Sequence, residues 1–432
     1  MNLWLPGHSE YDNQRRAINP ALDPRPVAVA EASGVADVQE AVRLARDEGL
    51  PLAVQSTGHG THVPANRALL LKTSRMATVL VDPDRRVARV GAGATWGQVL
   101  AAAAPFGLAP LSGSSPTVGV TGYTLGGGVG WLSRLHGFAA DSLLRAAMVT
   151  ADGELVFADA DQEPELFWAL RGGGGNFGVV TGLEFQLYPV RQVYAGTSYF
   201  DFERAPDTLG RYADWLDEAP DELSTAVLLT RMPETPEVPQ RIRGRRVLAI
   251  RAMYAGDAAE AEHHLAALRA VAGPALVEGF DAMSYADARM GGTPPRHLEL
   301  LNGLPDSLIG SLVEAIESAS VSTIELRHWG GAMGRGDGPA GHRSAPLSVI
   351  ADTPDPDLIE ALQPWATGGS FLNFLSDPSR TESAYTPENY ARLREIKADW
   401  DPDNIFSFGH NIAPAVVTKT GALGADASLS IA

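Results

Sequence analysis

The stretch PLAVQSTGHGTHVP, Pro51 to Pro64, sets His59 between Gly58 and Gly60 directly after a short apolar run. Glycine on both sides admits a left-handed turn or the close approach of another group to the backbone. A sharp turn with the histidine at its tip and a large ligand laid against the loop both satisfy that spacing. A second pair of reactive side chains lies in STIELRHWGG. Strand alternation there places Thr323, Glu325, Arg327 and Trp329 on one face and Ile324, Leu326 and His328 on the other. The apolar face belongs against covering helices, so Glu325 and Arg327 face a cavity. A carboxylate beside a guanidinium is either a structural ion pair or a base held ionised at neutral pH. Arginine lowers carboxylate basicity, which favours the structural pair.

Three further glycine clusters follow His59: GAGATWG (91–97), GSSPTVGVTGYTLGGGVG (113–130) and RGGGGNFGVV (171–180). Any one of them reads as a tight turn. Their spacing does not fit the Rossmann fingerprint, and no acidic residue stands at the ribose-binding offset. Together, all at element ends, they suit a different use, because successive backbone N–H groups in glycine turns make concave anion sites. No lysine accompanies them as in a Walker loop, which disfavours ATP hydrolysis and favours a long dinucleotide.

Composition narrows the class. With 34 basic and 52 acidic residues the formal charge is −18, which argues against nucleic acid or an anionic membrane surface as partner. Cysteine is absent, so disulfides, thiolate nucleophiles and cysteine-ligated metals are excluded. No metal site is expected. The N-terminal MNLWLPGHSEYDNQ lacks the basic and apolar regions of a signal peptide, and the apolar stretch Val99–Leu111 is too short to span a bilayer. A cytoplasmic protein is expected.

The elements that must position these residues change character along the chain. The first 190 residues read as α/β: a strand at Val27–Ala30, a helix capped by Ser33 and ended by Gly49, and a strand at Leu52–Gln55. His59 therefore sits in the loop after strand–helix–strand, a common ligand position in α/β sheets. A helix in TWGQVLAAAAPFG and a hairpin about Asp152–Gly153 follow. Residues 191–380 alternate strands (STAVLLTRM, RRVLAIRAMY, STIELRHW, LSVIA) with helical stretches, as in an antiparallel sheet backed by helices. Thr386 caps a last helix in TPENYARLREIKADWDPDNIF. Residues 415–432, rich in small side chains, read as a flexible tail.

Taken in order, GH, GAGATWG, GSSPTVGVTGYTLGGGVG, FWALRGGGGNFGVVT and YARLREIKADWDPDNIFSFGHNI resemble the berberine-bridge-enzyme-like flavoprotein oxidases of the vanillyl-alcohol oxidase / p-cresol methylhydroxylase (PCMH) superfamily. The resemblance runs from about Arg25 to Pro414. It implies an α+β fold: a two-part PCMH-type FAD-binding domain from residues 1–190 and 381–414, with a substrate domain, 191–380, inserted between them. It implies FAD as cofactor and His59 as the residue bonded to the flavin 8α-methyl, with Gly58 and Gly60 letting the loop lie against the ring edge. Many members add a second bond through a cysteine; here Ser115 stands in its place, so attachment through His59 alone is expected. The resemblance further assigns Ser114, Ser115, Thr117, Gly119 and Gly126, Gly127 and Gly128 to the diphosphate and ribityl chain. It assigns Gly178, Val179 and Val180 to the flavin or adenosine, and Asn411 to the flavin pyrimidine.

The sugar-oxidising relatives carry a phenolic base in a strand before the final helix. In GSFLNFLS that tyrosine is Phe371, followed by Asn373, so the phenol is missing. Tyr123 is a weaker substitute, with packing the simpler role, and the base stays open. The resemblance implies an FAD-dependent oxidoreductase, an oxidase that takes a hydride from a small organic, even secondary-metabolite, substrate and passes electrons to O2. A flavin-containing cyclase or rearrangement catalyst without net redox, and a non-catalytic flavin-binding module, remain as alternatives. Substrate identity and oligomeric state are not readable from the sequence.

Overall fold

The computed structural model describes residues 1–288 and 290–416, so residues 417–432 of the expected tail lie outside the described residues. The first sheet holds β1 (Asn2–Trp4), β2 (Ala28–Glu31), β3 (Leu52–Gln55) and β4 (Leu69–Lys72) in the order β1-β2-β4-β3. Strands β2, β4 and β3 are mutually parallel, which requires a crossover, and the helix Val35–Asp47 provides it. Val38, Ala41, Val42 and Ala45 on that helix are fully buried against β2, β3 and β4. The helix start differs from the expected one. Gly34 holds the N-cap position, and Ser33 instead donates from N and Oγ to Asp37 Oδ2, at 2.8 and 2.9 Å. Gly49 ends it with φ +62°.

The second sheet is antiparallel: β5 (Val79–Asp82), β6 (Val87–Gly91), β7 (Leu143–Val149), β8 (Leu155–Asp159) and β9 (Val179–Gln186), in the order β5-β6-β9-β7-β8. Strands β7 and β8 form the expected hairpin, with Gly153 at φ +78°. The helix Trp96–Ala103 starts on a capping box between Thr95 and Gln98 and buries Trp96 and Val99.

The third sheet is also antiparallel. It orders β10 (Gln192–Asp201), β11 (Leu223–Arg231), β12 (Arg246–Tyr254), β13 (Phe280–Ser284), β14 (His297–Leu301), β15 (Thr323–His328) and β16 (Leu347–Ala351) as β13-β10-β12-β11-β15-β16-β14. One face lies under the helices Ala205–Trp215, Ala258–Ala272 and Asp306–Glu317, with Val227, Leu229, Ile324 and Leu326 pointing into them. The other face sets Ala226, Leu228, Ala249 and Met253 against Leu111, Trp131 and Leu132. Because both faces are covered, every residue of β11 from Leu223 to Thr230 is buried, Ser224, Thr225 and Thr230 included.

After the third sheet the chain returns. The helix Pro387–Trp400, capped by the Thr386 side chain, packs Leu393 and Ile396 into the core that contains Phe177 and Phe185 of the second sheet's region. Lys397 is buried beneath it with no exposure. Its ammonium donates to Asn176 O at 2.7 Å and Phe406 O at 3.2 Å, and pairs with Asp401 one turn on, also fully buried. Asp401 in turn accepts from the backbone N of Ile405 and Phe406, at 2.8 and 2.9 Å. Asn176 completes the joint: its Nδ2 donates to His410 O at 3.0 Å and its Oδ1 accepts from Ile412 N at 2.9 Å. Among the described residues no helix is long and apolar enough to cross a membrane.

Removing one partner of a buried ion pair strands the other charge and costs about 3–5 kcal/mol. Lys397→Met should lower the urea-unfolding stability by that amount. Stability equal to that of the unsubstituted protein would contradict the role given to this pair.

Candidate active site

Two cavities meet between the sheets, sharing Val54, Ser56, Gly122, Gly175 and Phe408 in their walls. The smaller, about 230 Å³, lies among Leu52, Thr73, Ala92, Thr121 and Phe406, and Gly178, Val179 and Val180 are part of its wall. The larger, about 740 Å³, reaches from the 55–62 loop to the third sheet. Gly58, His59, Gly60, Ser114, Ser115, Gly119, Tyr123, Gly126, Arg327 and Asn373 all line it. Loops separated by hundreds of residues thus converge on one cleft. His59 is exposed at its wall, and Gly58 makes the turn before it with φ +78°.

Several expected residues stand elsewhere. Thr117, Gly127, Gly128 and Asn411 are not part of either wall. Thr117 is exposed and shares a 3.0 Å hydrogen bond with Ser115. Gly127 and Gly128, at φ +106° and +75°, turn the chain after the helix Val120–Leu125. A Cβ at Gly128 would lie 2.4 Å from the Tyr123 ring, and one at Gly113 would lie 2.8 Å from it. These glycines make room for Tyr123, which packs edge-on to Trp96. Burial, with Tyr285 adding to it, pushes the Tyr123 phenol well above the ordinary tyrosine value despite Arg327. It is therefore a neutral hydroxyl at physiological pH.

Asn373 was expected in a strand, but Leu372–Phe374 forms a single 3-10 turn after extended Phe371. Its amide is already engaged: Oδ1 accepts from Gly128 N at 2.9 Å and Nδ2 donates to Tyr123 O at 3.0 Å. It fastens the 123–128 turn. Phe371 is fully buried against Phe138 and Trp329.

Glu325 and Arg327 do share the cleft-facing side of β15, opposite Ile324 and Leu326. Glu325 has no exposure and does not reach the cavity wall. Its Oε1 accepts from Arg327 Nε and Nη2 at 2.9 and 2.6 Å; its Oε2 accepts from Thr293 N and Oγ1 at 3.1 and 2.9 Å and from Arg251 at 3.5 Å. Burial pushes this carboxyl up, but Arg327, then Arg251, and the hydrogen bonds more than offset it, leaving it below the ordinary glutamate range. So saturated a carboxylate holds Arg327 in place and is a poor proton acceptor. On the far face, His328 accepts from Arg134 at 2.7 Å, and burial followed by the Arg134 charge holds it down at about 3.

The sequence reading missed His62 and His410, which also line the larger cavity with ring centroids 6.4 Å apart. His410 is fixed by Leu375 O at 3.0 Å and Thr381 Oγ1 at 3.2 Å, whereas the His62 ring has no hydrogen-bond partner among the described residues. The only hint was a second histidine three residues after His59.

The cleft fits a long polar-and-aromatic cofactor. Ideal Cβ atoms at Gly60, Gly122 and Gly175 meet nothing within 4 Å and none of the three has a positive φ, so these glycines leave space open that no protein atom fills. Ser56 Oγ and Thr121 Oγ1 are buried in the walls without a hydrogen-bond partner among the described residues, as donors awaiting a polar ligand would be. Fold and cleft define a flavin-type dinucleotide-binding oxidoreductase.

The comparisons agree. Residues 26–159 match a family described as FAD binding domain, and residues 354–413 match berberine and berberine like. The (R)-6-hydroxynicotine oxidase of Paenarthrobacter nicotinovorans is 30% identical, over 90% of this chain and 92% of its own. The xylooligosaccharide oxidase of Thermothelomyces thermophilus is 27% identical over 95% and 91%. The solved 6-hydroxy-D-nicotine oxidase of Arthrobacter nicotinovorans superposes with a TM-score of 0.80 at 27% identity, covering 96% of this chain and 98% of that one. The berberine bridge enzyme of Eschscholzia californica shares the fold, with a TM-score of 0.80 at 20% identity over 96% and 97%. The chain belongs to the berberine-bridge-like family of FAD-linked oxidoreductases.

If the open space at Gly122 is where the cofactor lies, Gly122→Leu should keep the fold and weaken FAD binding at least tenfold. Replacing glycine inside a helix should not lower apo-protein stability. Fluorescence titration with FAD in a His59→Ala background, where no bond to residue 59 can form, measures this; unchanged affinity would place the cofactor elsewhere.

Proposed function

We propose that the protein is an oxidase that holds FAD through one covalent bond to His59, oxidises a small organic molecule and uses O2 as electron acceptor. The observation that carries this reading is His59, exposed at the wall of the larger cavity on a glycine-made turn, in a chain without cysteine. Ser115 lines the same cavity but offers only a hydroxyl, which removes the second attachment that many members of the family have. Two relatives bear the name oxidase, which supports the direction of the chemistry.

When bound, FAD supplies the hydride acceptor. The chain supplies the rest. Gly175, Gly178, Val179 and Val180 bring backbone close to the cofactor, and Ser56 and Thr121 offer it hydroxyls. Arg327, set by Glu325 and stacked 5.1 Å over Trp131, puts a fixed positive charge on the substrate side. The free imidazole of His62 takes the proton that leaves a substrate hydroxyl or amine. Desolvation in the wall, followed by the Arg296 charge, lowers His62 below its ordinary 6.5, so it is neutral and able to accept at pH 7.

Acid precipitation should leave a yellow pellet, and intact mass should show the chain plus one FAD. His59→Ala should release the flavin on denaturation. A colourless pellet from fully loaded protein would contradict the covalent assignment. Mixed anaerobically with substrate the flavin should bleach, and readmitted air should yield peroxide.

The His62 role gives a pH profile with a definite sign. The flavin reduction rate should rise with pH through a value below 6.5 and stay flat above it, because protonated His62 cannot accept a proton. His62→Gln should lower the plateau at least tenfold and remove that limb. An unaltered profile in the variant would take His62 out of the mechanism.

A further inference from the structure

Charge at the third-sheet wall does not balance. Glu325 is flanked by two guanidinium groups, Arg327 and Arg251, whose side chains are only 9% and 14% exposed. Its oxygens are occupied by both of them and by Thr293, so one carboxylate faces two buried positive charges. Among the described residues no aspartate or glutamate lines either cavity; the ionisable side chains on the walls are Arg327, His59, His62, His410 and the neutral phenol of Tyr123. A buried charge without a counterion is costly, and water or an anion must face it.

Arg327 is built to offer that charge outward. Nε and Nη2 are used on Glu325, while Nη1 has no hydrogen-bond partner among the described residues, and the side chain lines the larger cavity. The ring of Trp131 fixes the guanidinium plane, and Trp131 is itself held by donating from Nε1 to Ser114 Oγ at 3.2 Å. Beside it the wall is open: a Cβ at Gly292 would lie 3.9 Å from Arg327 Nη2 and no closer to anything else. Ile350, paired with Glu325 on the neighbouring strand, stands beside it in the same cavity, and Val129, Leu372 and Phe374 line that cavity as well. A fixed guanidinium sharing a cavity with apolar side chains matches a molecule with an anionic end and an apolar body.

We propose that the substrate is a carboxylic acid whose carboxylate pairs with Arg327 while its apolar body rests against Ile350, Leu372 and Phe374. This rests on the larger cavity being the substrate side of the flavin cleft. Arg327 then determines specificity: the same molecule as an amide leaves the excess charge unmatched, and an amine opposes it.

The test uses the flavin-loaded protein and three acids, benzoate, phenylacetate and 3-phenylpropionate, each against its amide. Binding is followed by calorimetry and by the visible flavin spectrum. At least one acid should bind ten times more tightly than its amide. Arg327→Gln should abolish that preference by weakening the acid and leaving the amide unchanged, and Arg327→Lys should retain part of it. The flavin midpoint potential should be the same in Arg327→Gln as in the unsubstituted protein. Equal binding of acids and amides, no binding of any acid, or a preference that survives Arg327→Gln would overturn the proposal. So would a fall in flavin potential with acid binding intact, because the charge would then serve the flavin. The acid-against-amide comparison in unsubstituted protein holds even if the variants fail to fold. Calorimetry needs no flavin, so a colourless protein that still prefers acids would overturn the oxidase reading, and with it the acid as substrate, while upholding only the pairing of a carboxylate with Arg327.

Discussion

The cleft depends on the buried ammonium of Lys397. It sits at the point where the returning C-terminal helix, the 171–178 glycine loop and the 405–412 segment meet, and it hydrogen-bonds to all three. Residues 176 and 406 are far apart in sequence, and the Lys397 ammonium bonds to the carbonyl of each. Asn176, on the same loop, repeats the connection through His410 and Ile412. Phe406 and His410 are themselves in the cavity walls, so the joint that closes the core also shapes the cleft. Burying a charge is expensive unless every donor is met. Here each is met by a carbonyl or by Asp401, whose own oxygens accept two backbone N–H groups.

Glycine plays two distinct parts around this joint. At Gly113 and Gly128 the missing side chain is filled by the Tyr123 ring, so the turn is tight because the interior is full. At Gly60, Gly122 and Gly175 the missing side chain leaves space that nothing in the protein fills. The first kind sets the wall, and the second leaves the room. On the opposite side β15 contributes a fixed cation, because one carboxylate, Glu325, orients Arg327 without reaching the cavity. The smaller cavity takes Leu52, Val179 and Val180 from the first two sheets, Arg327 and Ile350 of the third line the larger one, and the helix Val120–Leu125 lines both.

Much of this was legible in the sequence. Alternation in STIELRHWGG assigned Glu325 and Arg327 to one face and His328 to the other, because a strand buried on both sides still has a period of two. The cap at Thr386 and the hairpin at Gly153 rest on local chemistry that sequence carries directly. The position of Ser33 was misread, since a serine beside a glycine can bond forward to Asp37 while the glycine takes the cap position. GSFLNFLS was expected as a strand from the resemblance alone, whereas Leu372–Phe374 forms a 3-10 turn held by the Asn373 amide. Lys397 was invisible as a structural group: a lysine in a polar helix reads as solvated, and only the tertiary fold reveals that this one is enclosed. His62 and Thr293 were missed for the same reason, because the partners that make them relevant lie in distant loops.

The account makes the cleft a property of the chain, set by Lys397 and Asn176 before any cofactor enters. Hydrogen exchange on flavin-free His59→Ala protein tests that most directly. The amides of Ile405, Phe406 and Ile412, each donating to a buried side chain, should be as strongly protected without FAD as the strands of the second sheet. Rapid exchange at these amides that slows only when FAD is added would contradict the account, since the cofactor would then be building the cleft that holds it.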